Sequence, residues 1–137
     1  MGPVRVPANL ERPHRPHSKR FGPAARLYWG TRYSLSGLLC AFRQEQAFQF
    51  ETVVLALLVA VLLWAELPFL RSVALLGAWL AVMALELVNS AVERAFDLID
   101  REYNAQIKAG KDMLSAAVFL AILFNALLWG AFFLQAR

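Results

Sequence analysis

One cysteine, Cys40, in 137 residues excludes an internal disulfide, and with only His14 and His17 for histidines there is no Cys/His cluster at zinc spacing. Charge is scarce as well: Asp, Glu, Lys and Arg make up 18% of the residues against 59% apolar ones. That balance excludes both a disordered polymer and a water-soluble domain of ordinary composition. No Gly-rich phosphate loop of P-loop type, no protein-kinase signature and no Ser/His/Asp arrangement is present. The amino end lacks the apolar stretch of a secretory signal peptide. What remains is a small membrane protein, and any phosphotransfer chemistry in it must use side chains projecting from helices.

The charge that is present is unevenly placed. Fourteen Lys and Arg against ten Asp and Glu give a net +4, and five of the basic residues, Arg5, Arg12, Arg15, Lys19 and Arg20, fall among Pro3, Pro7, Pro13, Pro16 and Pro23. Residues 1–23 therefore read as a disordered basic, Pro-rich tail that anionic lipid attracts. Without interleaved aromatics it does not read as a nucleic-acid partner. Over residues 24–47 the pattern becomes helical. At about 100° per residue, Leu27, Tyr28, Leu35, Leu38, Leu39 and Phe42 share one face, with Arg26, Arg32, Ser36 and Arg43 opposite, which predicts an amphipathic helix lying on the bilayer.

Three longer segments follow. Thr52 to Ala65 and Ser72 to Leu85 are uncharged but short for a hydrocarbon core that needs about 20 residues, so each must recruit polar neighbours. Met113 to Leu134 is uncharged throughout. Spans are expected at about 48–66, 71–93 and 113–134, with Pro68 in the tight link between the first two and a cytoplasmic loop at 94–112. The predicted class is all-α and integral to the membrane, with one surface helix and three transmembrane helices. Eight basic residues precede the first span, four (Arg94, Arg101, Lys108, Lys111) lie between the second and third, and only Arg71 sits in the hairpin. This places the amino end and the 94–112 loop in the cytoplasm and the carboxyl end outside, with Trp64 and Trp129 toward the outer interface.

Glu86, Asn89, Glu93, Asp97 and Asp100 are spaced 3, 4, 4 and 3 residues apart, which on a helix gathers them on one narrow face over roughly 21 Å. A carboxylate at membrane depth costs about 2.5–3.5 kcal/mol on insertion scales. Interhelical hydrogen bonds return only about 0.6 kcal/mol each, so structural glue alone does not account for the stripe. The stripe runs out toward Lys108, Lys111 and Asp112, and carboxylates beside a lysine are the usual parts of a magnesium-nucleotide site. Glu45, where the surface helix gives way to the first span, could lie level with Glu93 and share a divalent ion with it. Glu51 reads equally well as an acid favoured by a helix N-terminus.

The residues Glu86-Leu-Val-Asn89-Ser-Ala-Val-Glu93, then Asp97, then Lys111-Asp112-Met-Leu-Ser115-Ala-Ala-Val, resemble the signature of the prokaryotic diacylglycerol kinase family. The likeness extends from Arg26 through Tyr33-Ser-Leu-Ser-Gly37-Leu38 and Glu45-Gln-Ala-Phe48 to Trp129, leaving out the tail and the last few residues. It implies a homotrimeric helical bundle in the bacterial inner membrane that uses ATP and Mg²⁺ to phosphorylate a lipid hydroxyl. It further implies Glu86 as general base, Glu45 and Glu93 as metal carboxylates, and Arg26, Tyr33, Glu45, Glu93, Glu102, Tyr103, Asn104, Lys111 and Asp112 around ATP. Arg26, Glu86, Asn89 and Asp97 would bind substrate or line the site, and Ser115 and Trp129 would lie near the lipid. The base role makes physical sense, because a carboxylate stripped of water has little to compete with a substrate hydroxyl for its lone pairs.

Two lipids stay open. Lys111-Asp-Met-Leu-Ser-Ala-Ala-Val118 is closer to the diacylglycerol branch of the family, whereas Phe48-Gln49-Phe50 is closer to the undecaprenol kinase branch, and Asn104 stands where the nearest diacylglycerol kinases have His. A small oligomeric channel or ion carrier with Glu86 and Glu93 along its path is the alternative from another class. It leaves Lys111 and Asp112 without a use.

Overall fold

The computed structural model describes residues 22–99 and 104–135. They form four helices, α1 (Pro23–Gln44), α2 (Gln46–Ala65), α3 (Phe69–Ile99) and α4 (Ala105–Gln135), with no strand among the described residues. Contacts group the chain into two compact units, one ending at Leu38 and the other starting at Leu39.

In the first unit α1 opens on Pro23, whose fixed φ and missing N–H suit the first helical position. Thr31 Oγ1 donates back to the Leu27 carbonyl at 3.0 Å, Tyr33 stacks on Trp29, and the Arg32 guanidinium lies 5.3 Å from the Trp29 ring centroid. Leu27, Tyr28, Leu35 and Leu38 stand exposed. An exposed apolar face of that length is what an interfacial helix presents to lipid.

The second unit begins with the last turn of α1, where Ala41 is buried. The surface helix expected over 24–47 ends at Gln44, because Glu45 turns to extended backbone (φ −109°, ψ 114°) and becomes the N-cap residue of α2. The corner is closed by hydrogen bonds: Glu45 N–H donates to the Ala41 carbonyl at 2.8 Å and Gln49 Nε2 to the Phe42 carbonyl at 2.9 Å. These cover helix-end carbonyls that would otherwise lack partners. At its far end α2 stops at Glu66, a left-handed residue (φ 48°, ψ 39°), and Pro68 offers its carbonyl to the N–H groups of Arg71 and Ser72 as α3 starts.

All three of α2, α3 and α4 are long and apolar enough to cross a membrane. The 20 residues of α2 rise about 30 Å, the thickness of a hydrocarbon core. The 31 residues of α3 and of α4 rise about 46 Å each, so both project beyond that core. Here the structure corrects the expected spans and loop: most of 94–112 is helical, since α3 continues from 93 to Ile99 and α4 begins at Ala105 rather than 113. No proline interrupts either stretch, and Asn104 caps α4, its Oδ1 accepting from the N–H of Gln106 at 2.9 Å. The two helices pack antiparallel, with Arg71 5.8 Å from the Phe132 ring centroid at one end and Lys111 bonded to Asp97 at the other.

Ala41, Phe48, Trp79, Val82 and Met83 form the core, with Val54, Leu55, Leu58, Leu87 and Ala121 packed against it. Most other large apolar side chains of α2 and α4 are exposed, which in lipid costs nothing because acyl chains solvate them as well as a protein interior would. Stability inside the bilayer must then come from close packing and polar contacts. Leu75 is fully buried, so Leu75→Ala is expected to cost near the lower end of the roughly 2–5 kcal/mol of water-soluble cores, because the cavity term survives while the transfer term does not. Denaturation in mixed micelles measures it, and an unchanged midpoint would contradict this packing.

Candidate active site

The polar residues of the bilayer region are gathered rather than scattered. On α3, Glu86 (8% exposed), Asn89 (9%) and Ser90 are buried, as are Glu51 (5%) on α2 and Asn125 on α4. Glu86 and Asn89 sit one helical turn apart on α3. Asn89 Oδ1 is buried with no hydrogen-bond partner among the described residues. The charges of Glu93, about one turn beyond Asn89, and of Glu45 both act on Glu86. Three of the carboxylates singled out in the sequence thus form one electrostatic group.

Glu45 and Glu93 stand at one level. Glu45 accepts from Arg94, the residue after Glu93, through Nε at 3.1 Å and also through Nη2, while Arg94 Nη1 lies 3.5 Å from Cys40 Sγ. Beyond them the stripe reaches water: Glu93 is half-buried and Asp97 exposed. Lys111 Nζ bridges from α4 to Asp97 Oδ1 at 2.6 Å, and Lys108 Nζ holds Asp112 Oδ2 at 2.6 Å along α4. Ser115 is exposed on α4. Trp129 packs near Phe133, with its Nε1 buried and unpartnered. Arg26 and Tyr33 lie on the α1 segment of the first unit, Arg26 exposed and Tyr33 stacked on Trp29. Asp100, Glu102 and Tyr103 lie outside the described residues. Asn104, expected beside ATP, is placed at the α4 cap.

Two features of the site carry no clear signal in the sequence. Glu51 is not an acid of the first turn of α2; it is buried, feels the charge of Glu86, and keeps an unpartnered Oε2, while its backbone carbonyl accepts from Trp79 Nε1 at 3.0 Å. The helix-dipole reading is replaced by membership of the buried polar group. Only the six-residue step from Glu45 could have hinted at this. The second is Arg94, a basic residue next to Glu93, which sequence reading counts only toward orientation.

Among the described residues no three His, Cys, Asp or Glu side chains gather in a way that could hold a metal ion by themselves. The donor set that does exist, carboxylates of Glu45 and Glu93 at one level at the end of the spans, suits Mg²⁺. That ion takes one or two protein carboxylates and completes its shell with water and substrate phosphates. A recess at the other end of the hairpin, lined by Val59, Leu62, Glu66 and Ser72 among others, holds none of these groups.

The sequence model described as prokaryotic diacylglycerol kinase matches residues 32–133. The diacylglycerol kinase of Haemophilus influenzae is 37% identical over 100 residues, covering 73% of this chain and 85% of that protein. That of Escherichia coli K12 is 37% identical over 97 residues, covering 71% and 80%, and that of Helicobacter pylori 26695 is 38% identical over 111 residues, covering 80% and 85%. The match and these relatives make the chain a bacterial lipid kinase, and its helices are long and apolar enough to cross the membrane several times. The chain belongs to the prokaryotic diacylglycerol kinase family.

The Lys111–Asp97 bridge joins a half-exposed pair, with Asp97 67% exposed. A double-mutant cycle on Lys111→Met and Asp97→Asn is expected to give a coupling to stability of only about 0.2–1 kcal/mol. Nucleotide affinity should fall much further in Lys111→Met than in Asp97→Asn, and equal losses would make the lysine a structural bridge alone.

Proposed function

We propose that this protein transfers the terminal phosphoryl group of ATP to the free hydroxyl of diacylglycerol, giving phosphatidic acid at the cytoplasmic face of the bacterial inner membrane. The observation that carries the reading is Glu86, a carboxylate buried in a bilayer helix one turn from Asn89 and lying within the field of Glu45 and Glu93. Glu86 accepts the proton of the attacking hydroxyl as its oxygen bonds to the phosphorus and the bond to ADP breaks. Glu45 and Glu93 would hold Mg²⁺, which supplies neutralisation of the charge spread over the phosphates. Lys111 and Asp112, with Arg26, Tyr33, Glu102, Tyr103 and Asn104, would hold ATP; Asn89 and Asp97 would line the site, and Ser115 and Trp129 would lie near the lipid.

The positive-inside pattern puts the amino end and the Arg94 to Asp112 region in the cytoplasm, where ATP is, and the carboxyl end outside. The lipid then reaches Glu86 sideways from the bilayer while the nucleotide arrives from water, and holding both in line supplies much of the rate. A homotrimer, with sites completed between subunits, is part of the proposal.

Undecaprenol is the second reading, favoured by Phe48-Gln49-Phe50. In the fold Phe48 packs in the core and Gln49 closes the α1–α2 corner, so two of these three residues have structural work that does not depend on the lipid. Phosphate transfer from labelled ATP to each lipid in mixed micelles is expected to favour diacylglycerol, and faster transfer to the polyprenol would overturn the substrate. Glu86→Gln should lower turnover about 10²–10⁴-fold with ATP affinity nearly intact; undiminished turnover would remove Glu86 as base. Glu45→Gln and Glu93→Gln should each raise the Mg²⁺ concentration needed for half-maximal rate.

A further inference from the structure

Arg94 is the charged group at the site that phosphoryl transfer, as set out above, does not use. It lies on α3 immediately after Glu93, its side chain is 45% exposed, and its guanidinium grips Glu45 through Nε and Nη2. Its one other contact is Cys40 Sγ, a weak acceptor at 3.5 Å. The carboxylate assigned to magnesium is therefore already neutralised by a cation of the protein's own.

The charges decide what must happen when nucleotide binds. Magnesium-bound ATP carries about two negative charges into a place that already holds Glu45, Glu86 and Glu93. Of the described cations on α3 and α4 at that end, Lys108 is committed to Asp112 and Lys111 to Asp97. Arg94 is bound to a partner that a divalent ion would take from it. A guanidinium presents a planar fork of donors that matches phosphate oxygens as well as it matches a carboxylate. It also stays charged whatever the pH, so giving up Glu45 leaves it seeking another anion within reach.

We propose that Arg94 is an exchangeable placeholder for the metal: it occupies Glu45 when no cation is bound, yields Glu45 to Mg²⁺, and then turns its fork to the phosphates of the incoming nucleotide. Arg94 thereby opposes bare metal and favours metal together with nucleotide, which couples the two binding events. The inference rests on the assignment of Glu45 and Glu93 to magnesium.

The test uses the full chain in lipid nanodiscs, with Mn²⁺ binding read by paramagnetic resonance and binding of β,γ-methylene-ATP read by titration calorimetry. Without nucleotide, Arg94→Gln should bind Mn²⁺ about two- to fivefold tighter than the unaltered protein, the factor an exposed ion pair is worth. At saturating Mn²⁺ the same variant should bind the nucleotide about tenfold more weakly, the scale of a lost charged hydrogen bond. Arg94→Lys keeps the charge without the fork, so its metal affinity should stay within about twofold of the unaltered protein while its nucleotide affinity falls. Should Arg94→Gln fail to fold, that lysine variant decides, and undiminished nucleotide affinity in it overturns the proposal. Mn²⁺ affinity in Arg94→Gln that is equal or lower, with Glu45→Gln weakened, overturns the placeholder role and leaves the metal assignment standing. Unchanged Mn²⁺ affinity in both Glu45→Gln and Glu93→Gln removes the metal assignment itself, and the placeholder with it.

Discussion

A carboxylate cannot be left in hydrocarbon unattended, and the arrangement of this protein follows from where it keeps Glu86. Inserting such a group costs about 2.5–3.5 kcal/mol, and the fold limits that cost by turning the side chain inward, away from lipid. Glu51, Asn89, Ser90 and Asn125 are buried too, while most large side chains facing outward on α2 and α4 are apolar. Buried atoms of Glu51, Asn89, Asn125 and Trp129 have no hydrogen-bond partner among the described residues.

Helix length carries the chemistry from the bilayer to water. Because α3 and α4 outrun the hydrocarbon core, one face of α3 runs from Glu86, buried at bilayer depth, to Asp97 in solvent, with α4 bringing Lys111 alongside. A lipid and a nucleotide are insoluble in each other's surroundings, and a continuous helix is a rigid way to hold residues for both. The corner at Glu45 ends α1 where that residue's carboxylate meets Arg94, the neighbour of Glu93.

Much of this was legible in the sequence, because the bilayer imposes strong rules. Uncharged runs mark the three spanning helices, Pro68 marks the hairpin, and the 3, 4, 4 spacing puts Glu86, Asn89, Glu93 and Asp97 on one face. What could not be read were pairings between helices. Nothing in the neighbourhood of Arg94 announces that it reaches across to Glu45, 49 positions away. Glu51 reads as an acid at a helix start because the first span is expected from 48, whereas α2 begins at Gln46 and carries Glu51 past its first turn into the interior. The loop expected at 94–112 fails for a related reason: charge density was taken as the end of a helix, whereas charged residues end only the membrane's claim on it.

The central claim, that carboxylates on bilayer helices assemble a metal-assisted phosphoryl transfer site at the membrane surface, is tested most directly by locating the metal. Anomalous scattering from Mn²⁺, in crystals of the protein grown in lipid with a non-hydrolysable ATP analogue, should place the ion between the carboxylates of Glu45 and Glu93 with Glu86 facing it from the bilayer side. An ion bound away from all three would contradict the account.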